Sequence, residues 1–161
     1  MAFEHIFSGS AAGAVGADGT VPLPPFIRRV IDGGRGTGRL MVGAHEADPC
    51  LTAWEPRRAP ALQAEIERRR LHDETAGMAA SGHFHRARRA FGLVEDAAVD
   101  AGCLTLPPMM RRKGRIGARV LFVGTGNGFE IWNDEEALAS EDPTMREIAQ
   151  FRLQDDGESE Q

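Results

Sequence analysis

Basic side chains occur in two matching sets in this chain. Arg28 and Arg29 close one apolar segment, and a second set closes another: Arg111, Arg112, Lys113 and Arg115. Guanidinium and ammonium groups bind phosphate oxygens well, so these six residues are candidates for contact with a nucleic-acid backbone. Positive charge is also favourable at the C-terminal end of a short helix without any ligand. From the residues alone, both interpretations stay open.

Other patterns with potential chemistry have simpler explanations. Residues 124–128, Gly-Thr-Gly-Asn-Gly, resemble a phosphate-binding loop, but strand-like residues follow and the Lys-Ser/Thr pair of a P-loop is missing. They predict a hairpin turn with positive φ at Asn127-Gly128. Residues 33–38, rich in glycine, predict a flexible loop rather than an anion-binding nest.

Neither a metal site nor a catalytic site is predicted. His83 and His85 would share one face of a strand, but no cysteine or carboxylate lies at metal-ligand spacing. The basic segment around them could touch nucleic acid, although a solvated loop explains it as well. Cys103 has no histidine near it in the sequence that would activate a thiol. We therefore predict no enzyme activity, no cofactor and no metal.

The two basic sets belong to a longer internal repeat. Leu-Pro-Pro-Phe-Ile-Arg-Arg at residues 23–29 reappears 83 residues later as Leu-Pro-Pro-Met-Met-Arg-Arg at residues 106–112. Each copy continues into a strand and then into an aromatic strand that ends at Trp54 or Trp132. A half this short buries too little surface to fold alone, so each half is expected to pack against its twin.

The elements around these sets follow from residue periodicity and end signals. We predict repeat 1 at about residues 3–56, a linking helical segment at 57–92 and repeat 2 at about 93–135. Within the linker, Glu65 is placed to pair with Arg69 one helical turn away. Asp142 and Pro143 begin a C-terminal helix over 142–154. Residues 1–154 then form one domain, and the acidic tail 155–161 is predicted to be disordered.

Composition fits a folded domain and restricts its surroundings. The 161 residues are 42% hydrophobic and contain two cysteines, which we interpret as reduced thiols in a cytoplasm. No apolar run is long enough for a bilayer, and residues 1–7 make a poor secretory signal. The net charge is −5, but ten acidic residues lie in 134–161, which leaves residues 1–133 at +3. The body is therefore mildly basic and the C-terminal end acidic.

The repeated Leu-Pro-x-x-x-Arg, together with Phe-Glu-Ile-Trp at residues 129–132 after a glycine-rich turn, resembles the MraZ family of bacterial regulators of the division and cell-wall gene cluster. The resemblance covers roughly residues 3–135. It implies a mixed α/β, mainly β fold of two pseudo-symmetric AbrB-like swapped-hairpin repeats. It also implies assembly into a ring and binding to promoter DNA, and hence a cytoplasmic, nucleoid-associated protein.

The chain departs from the family pattern at the residue expected to contact DNA. That strand usually reads Asp-x-x-Gly-Arg in the family, whereas here Gly19 is followed by Thr20 and Gly102 by Cys103. Neither Thr nor Cys can replace the bidentate contacts of arginine. The resemblance therefore predicts a DNA-binding transcriptional regulator that relies on the six basic residues. The alternative is an oligomeric module of the same fold that has lost operator recognition and acts through protein partners.

Overall fold

A computed structural model describes residues 5–31 and 38–154, and eight strands form one antiparallel sheet within it. The strands are β1 (Ser10–Ala14), β2 (Thr20–Pro22), β3 (Gly38–Ala44), β4 (Leu51–Trp54), β5 (Val94–Asp100), β6 (Cys103–Thr105), β7 (Arg119–Gly124) and β8 (Phe129–Asn133). Their order in the sheet is β1-β7-β8-β4-β3-β5-β6-β2. The edge strands β1 and β2 follow one another in the chain and contact each other, so the sheet is nearly closed.

Six α-helices accompany the sheet in the described part of the chain. They are α1 (Pro25–Arg28), α2 (Ala59–Thr75), α3 (Ser81–Ala87), α4 (Pro108–Lys113), α5 (Asp134–Leu138) and α6 (Pro143–Ala149). A 3₁₀ turn at Pro56–Arg58 leads into α2, and π-helical turns at Arg88–Gly92 and Gln150–Gln154 extend α3 and α6. The architecture is thus mixed α/β and mainly β, as the sequence predicts.

Two apolar clusters hold these elements together. The larger fills the inside of the sheet, where Phe129 packs against Phe7 and Phe122 at ring-centroid distances of 5.3 and 6.1 Å. The smaller covers the outer face of β7 and β8 with side chains from α5, α6 and the C-terminal π-helical turn. Alternate residues of β7 enter the two clusters, because successive side chains of a strand point to opposite faces.

Several sequence predictions about local structure are confirmed. The two aromatic strands form as β4, which ends at Trp54, and β8, which contains Trp132; they are neighbours in the sheet, and both tryptophans are buried. Asp142 caps α6, since its Oδ1 accepts the backbone N–H of Thr144 at 3.0 Å. Residues 124–128 do connect β7 to β8 as a hairpin. The positive φ of that turn, however, lies at Gly126 rather than at Asn127-Gly128.

The linking segment differs from its prediction in two respects. His83 and His85 lie in α3, not in a strand, so residues two apart point to different sides and share no face. The expected Glu65–Arg69 pair is also wrong. Glu65 instead accepts from Arg58 at 3.4 Å, while Arg69 binds Glu46 in the turn after β3 at 2.6 and 3.1 Å. A contact with the turn after β3 and one with the 3₁₀ turn before α2 replace the pairing within the helix.

Two predictions concern residues outside the described part of the chain. The flexible glycine-rich loop falls on 32–37 except for its last residue, Gly38, which begins β3. The disordered acidic tail falls on 155–161. Within the described residues, no helix combines the length and apolar character that a membrane span requires.

Candidate functional site

The repeated Leu-Pro-Pro segments place the short helices α1 and α4 immediately after strands β2 and β6. Leu23 and Leu106 are buried, and the next proline is extended, with φ of −68° at Pro24 and −60° at Pro107. The second proline of each pair occupies the first helical turn, where its missing N–H costs nothing. Ile27 and Met110 then anchor α1 and α4 in the core. The arginines that follow are thereby held in a fixed position at the sheet.

Strands β2 and β6, which precede the two short helices, pair with each other. Val21 faces Leu104 with both side chains fully buried. Their neighbours alternate outward: Thr20 lies opposite Thr105, with the two hydroxyl oxygens 3.3 Å apart, and Pro22 lies opposite Cys103. The motif positions Thr20 and Cys103 are therefore both half-exposed on one outward face of the β2–β6 pair.

The arginine at the end of each short helix lies against the glycine turn in the other half of the chain: Arg111 of α4 lies at Gly19, and Arg28 of α1 lies at Gly102. The Cδ of Arg111 lies 2.9 Å from where a Cβ on Gly19 would sit, and the Cδ of Arg28 lies 3.2 Å from the corresponding position on Gly102. Backbone hydrogen bonds join the two halves in the same way. Leu106 N–H donates to the Gly19 carbonyl at 3.0 Å, and Leu23 N–H donates to the Gly102 carbonyl at 2.9 Å. We call the residues Gly19, Thr20, Gly102, Cys103, Arg28 and Arg111 the basic turn surface.

Most of the six basic candidates carry a charge that no described residue compensates. The side chains of Arg28, Arg29, Arg112 and Lys113 are exposed and form no hydrogen bond or ion pair with another described residue. Arg111 is half-buried and lies within the field of Asp18. The pKa of Asp18 is lowered, first by the backbone N–H of Thr20, which it accepts at 3.0 Å, and more weakly by the charge of Arg111.

The remaining basic candidate is already paired. Arg115 has a positive φ of 53°, and its guanidinium binds Glu136 at 3.0 Å while its backbone carbonyl accepts from Asn133 at 2.6 Å. Lys113 lies about 200° around α4 from Arg111, because successive helical residues are about 100° apart. The structure thus brings Arg28 and Arg111 to the turns, whereas Arg115 and Lys113 point elsewhere.

The two turns tolerate a side chain poorly at their glycines. Gly19 has φ of +86°, and an added Cβ would lie 3.1 Å from the Leu106 carbonyl oxygen as well as against Arg111. We expect Gly19→Ala to lower the free energy of unfolding by about 1–2 kcal/mol, since positive φ is costly for residues with a Cβ. Urea denaturation measures this change. Gly117→Ala is the matched control, because no atom lies within 4 Å of its Cβ position; equal midpoints for the two variants would refute the strain argument.

A second cluster of polar side chains was not predicted from the sequence. His45, Cys50 and Glu130 place their potential metal-ligand atoms within 4.8 Å of one another. His45 Nε2 lies 3.0 Å from Glu130, and His45 Nδ1 accepts backbone N–H groups from Ala47 at 3.1 Å and Asp48 at 2.9 Å. Both ring nitrogens are therefore used within the protein, and a cation would have to displace these bonds.

The electrostatics of this cluster agree with a hydrogen-bonded role. The hydrogen bond to Glu130 raises the pKa of His45, although burial opposes the shift. Burial opposes ionisation of Glu130, but hydrogen bonds from His45 and Trp132 hold its pKa below the usual value. Burial also raises the pKa of the Cys50 thiol, so that it stays protonated near neutral pH. The cluster thus fastens the β3–β4 turn to β8.

The fold and the basic turn surface together define a small mixed α/β protein with exposed arginine side chains at the β1–β2 and β5–β6 turns. No family model matches the chain. It is similar to proteins named transcriptional regulator MraZ. One from Pseudomonas savastanoi pv. phaseolicola is 29% identical over 85% of this chain and 87% of its own length. Relatives from Pseudomonas aeruginosa and Saccharophagus degradans are 26% and 27% identical over 90% and 84% of this chain, and over 91% and 87% of their own lengths.

These similarities extend over most of each chain, well beyond the duplicated segment. At 26–29% identity, they support the resemblance to the MraZ family that the sequence predicts, with this chain as a divergent relative. The names of these relatives support a role in transcription regulation.

Proposed function

We propose that the protein regulates transcription by binding promoter DNA through the basic turn surface. The observation that supports this most directly is the reciprocal placement of Arg28 over Gly102 and Arg111 over Gly19. Two guanidinium groups flank the outward face of the β2–β6 pair, where Thr20, Pro22, Cys103 and Thr105 are small. Small side chains allow close approach of a nucleic-acid backbone, and arginine offers donors that match phosphate oxygens.

The absence of arginine at positions 20 and 103 determines how sequence-selective this binding is. Contacts from helix-end arginines go mainly to phosphates, which give salt-sensitive affinity and little sequence information. We infer that this protein discriminates between DNA sequences less well than a relative with arginine at positions 20 and 103. The target is a promoter region of the division and cell-wall gene cluster type, and the site of action is the nucleoid in the cytoplasm.

We propose further that the fold consists of two AbrB-like swapped-hairpin repeats. The strand pairings support this. If β1 to β4 are exchanged with β5 to β8, the pairs β1–β7 and β3–β5 interchange, as do β3–β4 and β7–β8, while β2–β6 and β4–β8 map onto themselves. Superposition of residues 17–54 on 100–132, over the positions described in both, tests the repeat, and unrelated backbone paths would contradict it.

A ring of several copies is the proposed assembly. The apolar side chains of α1 and α4 are not available for contacts between subunits, because Phe26, Ile27 and Met110 are buried in the chain's own core and Met109 packs against it. Exposed apolar side chains lie instead on the linking helices and the C-terminal turn: Leu71, Met78, Phe84, Phe91 and Phe151. A ring would repeat the basic turn surface, and weak contacts would add through effective concentration. Light scattering over a wide dilution range tests this, and a monomer mass throughout would contradict it.

A gel-shift titration tests the DNA proposal directly. The upstream region of the protein's own gene and a scrambled duplex of equal length are compared at two salt concentrations. We expect binding to both, with modest preference for the upstream region and a steep loss of affinity as salt rises. No binding to either duplex at low salt would reject DNA binding and favour a module that acts through protein partners.

A further inference from the structure

A cavity of about 290 Å³ lies between the linking helices and the sheet. Its apolar wall comes from Trp54 and Val94 in the sheet and from Leu62 and Ile66 in α2. It lies at the beginning of β5, whereas the basic turn surface lies beyond the other end of that strand. Val94 and Asp100 lie six positions apart along β5, which places the two features about 20 Å apart.

The rim and floor of the cavity carry an unusual concentration of charge. Four arginines line it, at positions 58, 69, 86 and 89, against the two acids Glu46 and Glu65. Both acids are occupied: Glu46 binds Arg69 at 2.6 and 3.1 Å, and Glu65 accepts from Arg58 at 3.4 Å. Neither acid forms a hydrogen bond with Arg86 or Arg89.

Arg86 and Arg89 lie three residues apart on one helical path, so their side chains are neighbours on its surface. Arg86 Nη2 donates to Asp73 at 3.2 Å, and Arg89 Nη2 donates to the His45 carbonyl at 2.5 Å. No carboxylate among the described residues pairs with Arg89. Arg86 Nη1 and Arg89 Nε are buried and lack a hydrogen-bond partner in the same part of the chain.

Two adjacent cations with unpaired buried donors are costly to a folded protein. An oxyanion held between them would satisfy the free donors and balance the charge of Arg89, since Arg86 is already paired with Asp73. Arginine suits this role, because its planar group presents several N–H donors in the geometry of a carboxylate or phosphate. The neighbouring apolar wall would at the same time accept the non-polar part of a small molecule.

We propose that this cavity is a binding site for a small organic anion, with a carboxylate or phosphate group held by Arg86 and Arg89 and an apolar portion against Trp54 and Val94. Such a ligand would join α2 and α3 to the sheet. The site requires no DNA and no residue of the basic turn surface. Binding at this site can therefore be tested independently of the proposed DNA binding.

The test is isothermal titration calorimetry of the full chain with three probes: inorganic phosphate, succinate and benzoate. Ionic strength is held constant with sodium chloride, which also serves as the blank titration. We expect at least one probe to bind saturably at one site per chain, with a Kd below about 1 mM, and to raise the thermal midpoint. Comparing the affinity of phosphate with that of the two carboxylates shows which anionic group the arginines prefer. Comparing benzoate with succinate shows whether the apolar wall contributes to binding. Absence of saturable binding for all three probes would overturn the proposal.

Variants separate this site from non-specific anion binding. Arg89→Gln and Arg86→Gln should each weaken the bound probe at least about tenfold, whereas Arg68→Gln, exposed on α2 and outside the cavity, should not. Because loss of Arg89 also removes its bond to the His45 carbonyl, Ala90→Leu provides a second approach. It fills the cavity from its wall and should abolish binding without lowering the thermal midpoint. Unchanged affinity in Arg89→Gln and Ala90→Leu would refute the site.

Discussion

Replacing Arg28 and Arg111 together by glutamine should lower DNA affinity by about a hundredfold or more. Each guanidinium lies over the opposite turn, has no carboxylate within hydrogen-bond distance among the described residues, and is free to donate to phosphate. A hydrogen bond to a charged group contributes about 1.5–3 kcal/mol, so two lost contacts per chain amount to about 3–6 kcal/mol. In a ring the loss would be repeated in every subunit.

Salt dependence gives this experiment a second, independent readout. The slope of log affinity against log salt should become shallower by about 2 for each chain that contacts DNA, since each phosphate contact contributes about 0.9. A variant that had merely become less stable would lose affinity without this change in slope. Fluorescence anisotropy with a labelled upstream duplex, measured across a salt series, provides both numbers.

The matched control also removes two arginine charges, but from the linking segment instead of the basic turn surface. Arg68 and Arg88 are exposed on the linking segment, and Arg68→Gln with Arg88→Gln should leave affinity within about threefold of the unaltered protein, because long-range charge effects are screened at physiological salt. If both double variants lose affinity equally, net charge rather than the basic turn surface governs binding. If neither loses affinity, DNA is bound through another surface.

The internal repeat explains how much of this arrangement the sequence predicts. Apolar spacing and proline positions predict α1, α4 and the strands beside them, because those signals are local. β1 escapes prediction, since Ser-Ala-Ala-Gly-Ala carries little strand propensity and forms a strand through its register with β7. Its strand conformation comes from pairing with a segment more than 100 residues away.

The crossing of the two halves is likewise invisible in the sequence. Arg28 could be predicted as the exposed end of a helix, but its position over Gly102 depends on how one half packs against the other. The same holds for Arg86 and Arg89. Their segment reads as a solvated basic loop, yet it becomes helical and lies against the β3–β4 turn, where Arg89 reaches the His45 carbonyl. Because every residue has a backbone carbonyl, the residue types do not indicate which one accepts a hydrogen bond from Arg89.

Restoring arginine at both motif positions, with Thr20→Arg and Cys103→Arg, should tighten binding to the upstream region by about a hundredfold. Both side chains point outward from the β2–β6 pair, so the new guanidinium groups would join Arg28 and Arg111 on one surface. A bidentate contact to a base edge is worth about 1–3 kcal/mol of discrimination, or roughly tenfold for each arginine. Affinity for scrambled DNA should rise less, so that selectivity improves along with affinity.

Each new arginine would lie beside an acid. Asp18 accepts the backbone N–H of Thr20 at 3.0 Å, and Asp100 is the cross-strand partner of Cys103. Asp18→Asn added to Thr20→Arg, and Asp100→Asn added to Cys103→Arg, should therefore each improve selectivity beyond that of the arginine alone.

Gln63→Arg with Ala79→Arg is the control for added charge, because both positions are exposed on the linking segment. It should strengthen binding to the two duplexes equally and slightly, through the general field of the protein. The decisive quantity is the ratio of affinities for upstream and scrambled DNA. If the unaltered protein already shows a large ratio, or if the restored arginines leave it unchanged, these motif positions do not read DNA sequence in this protein.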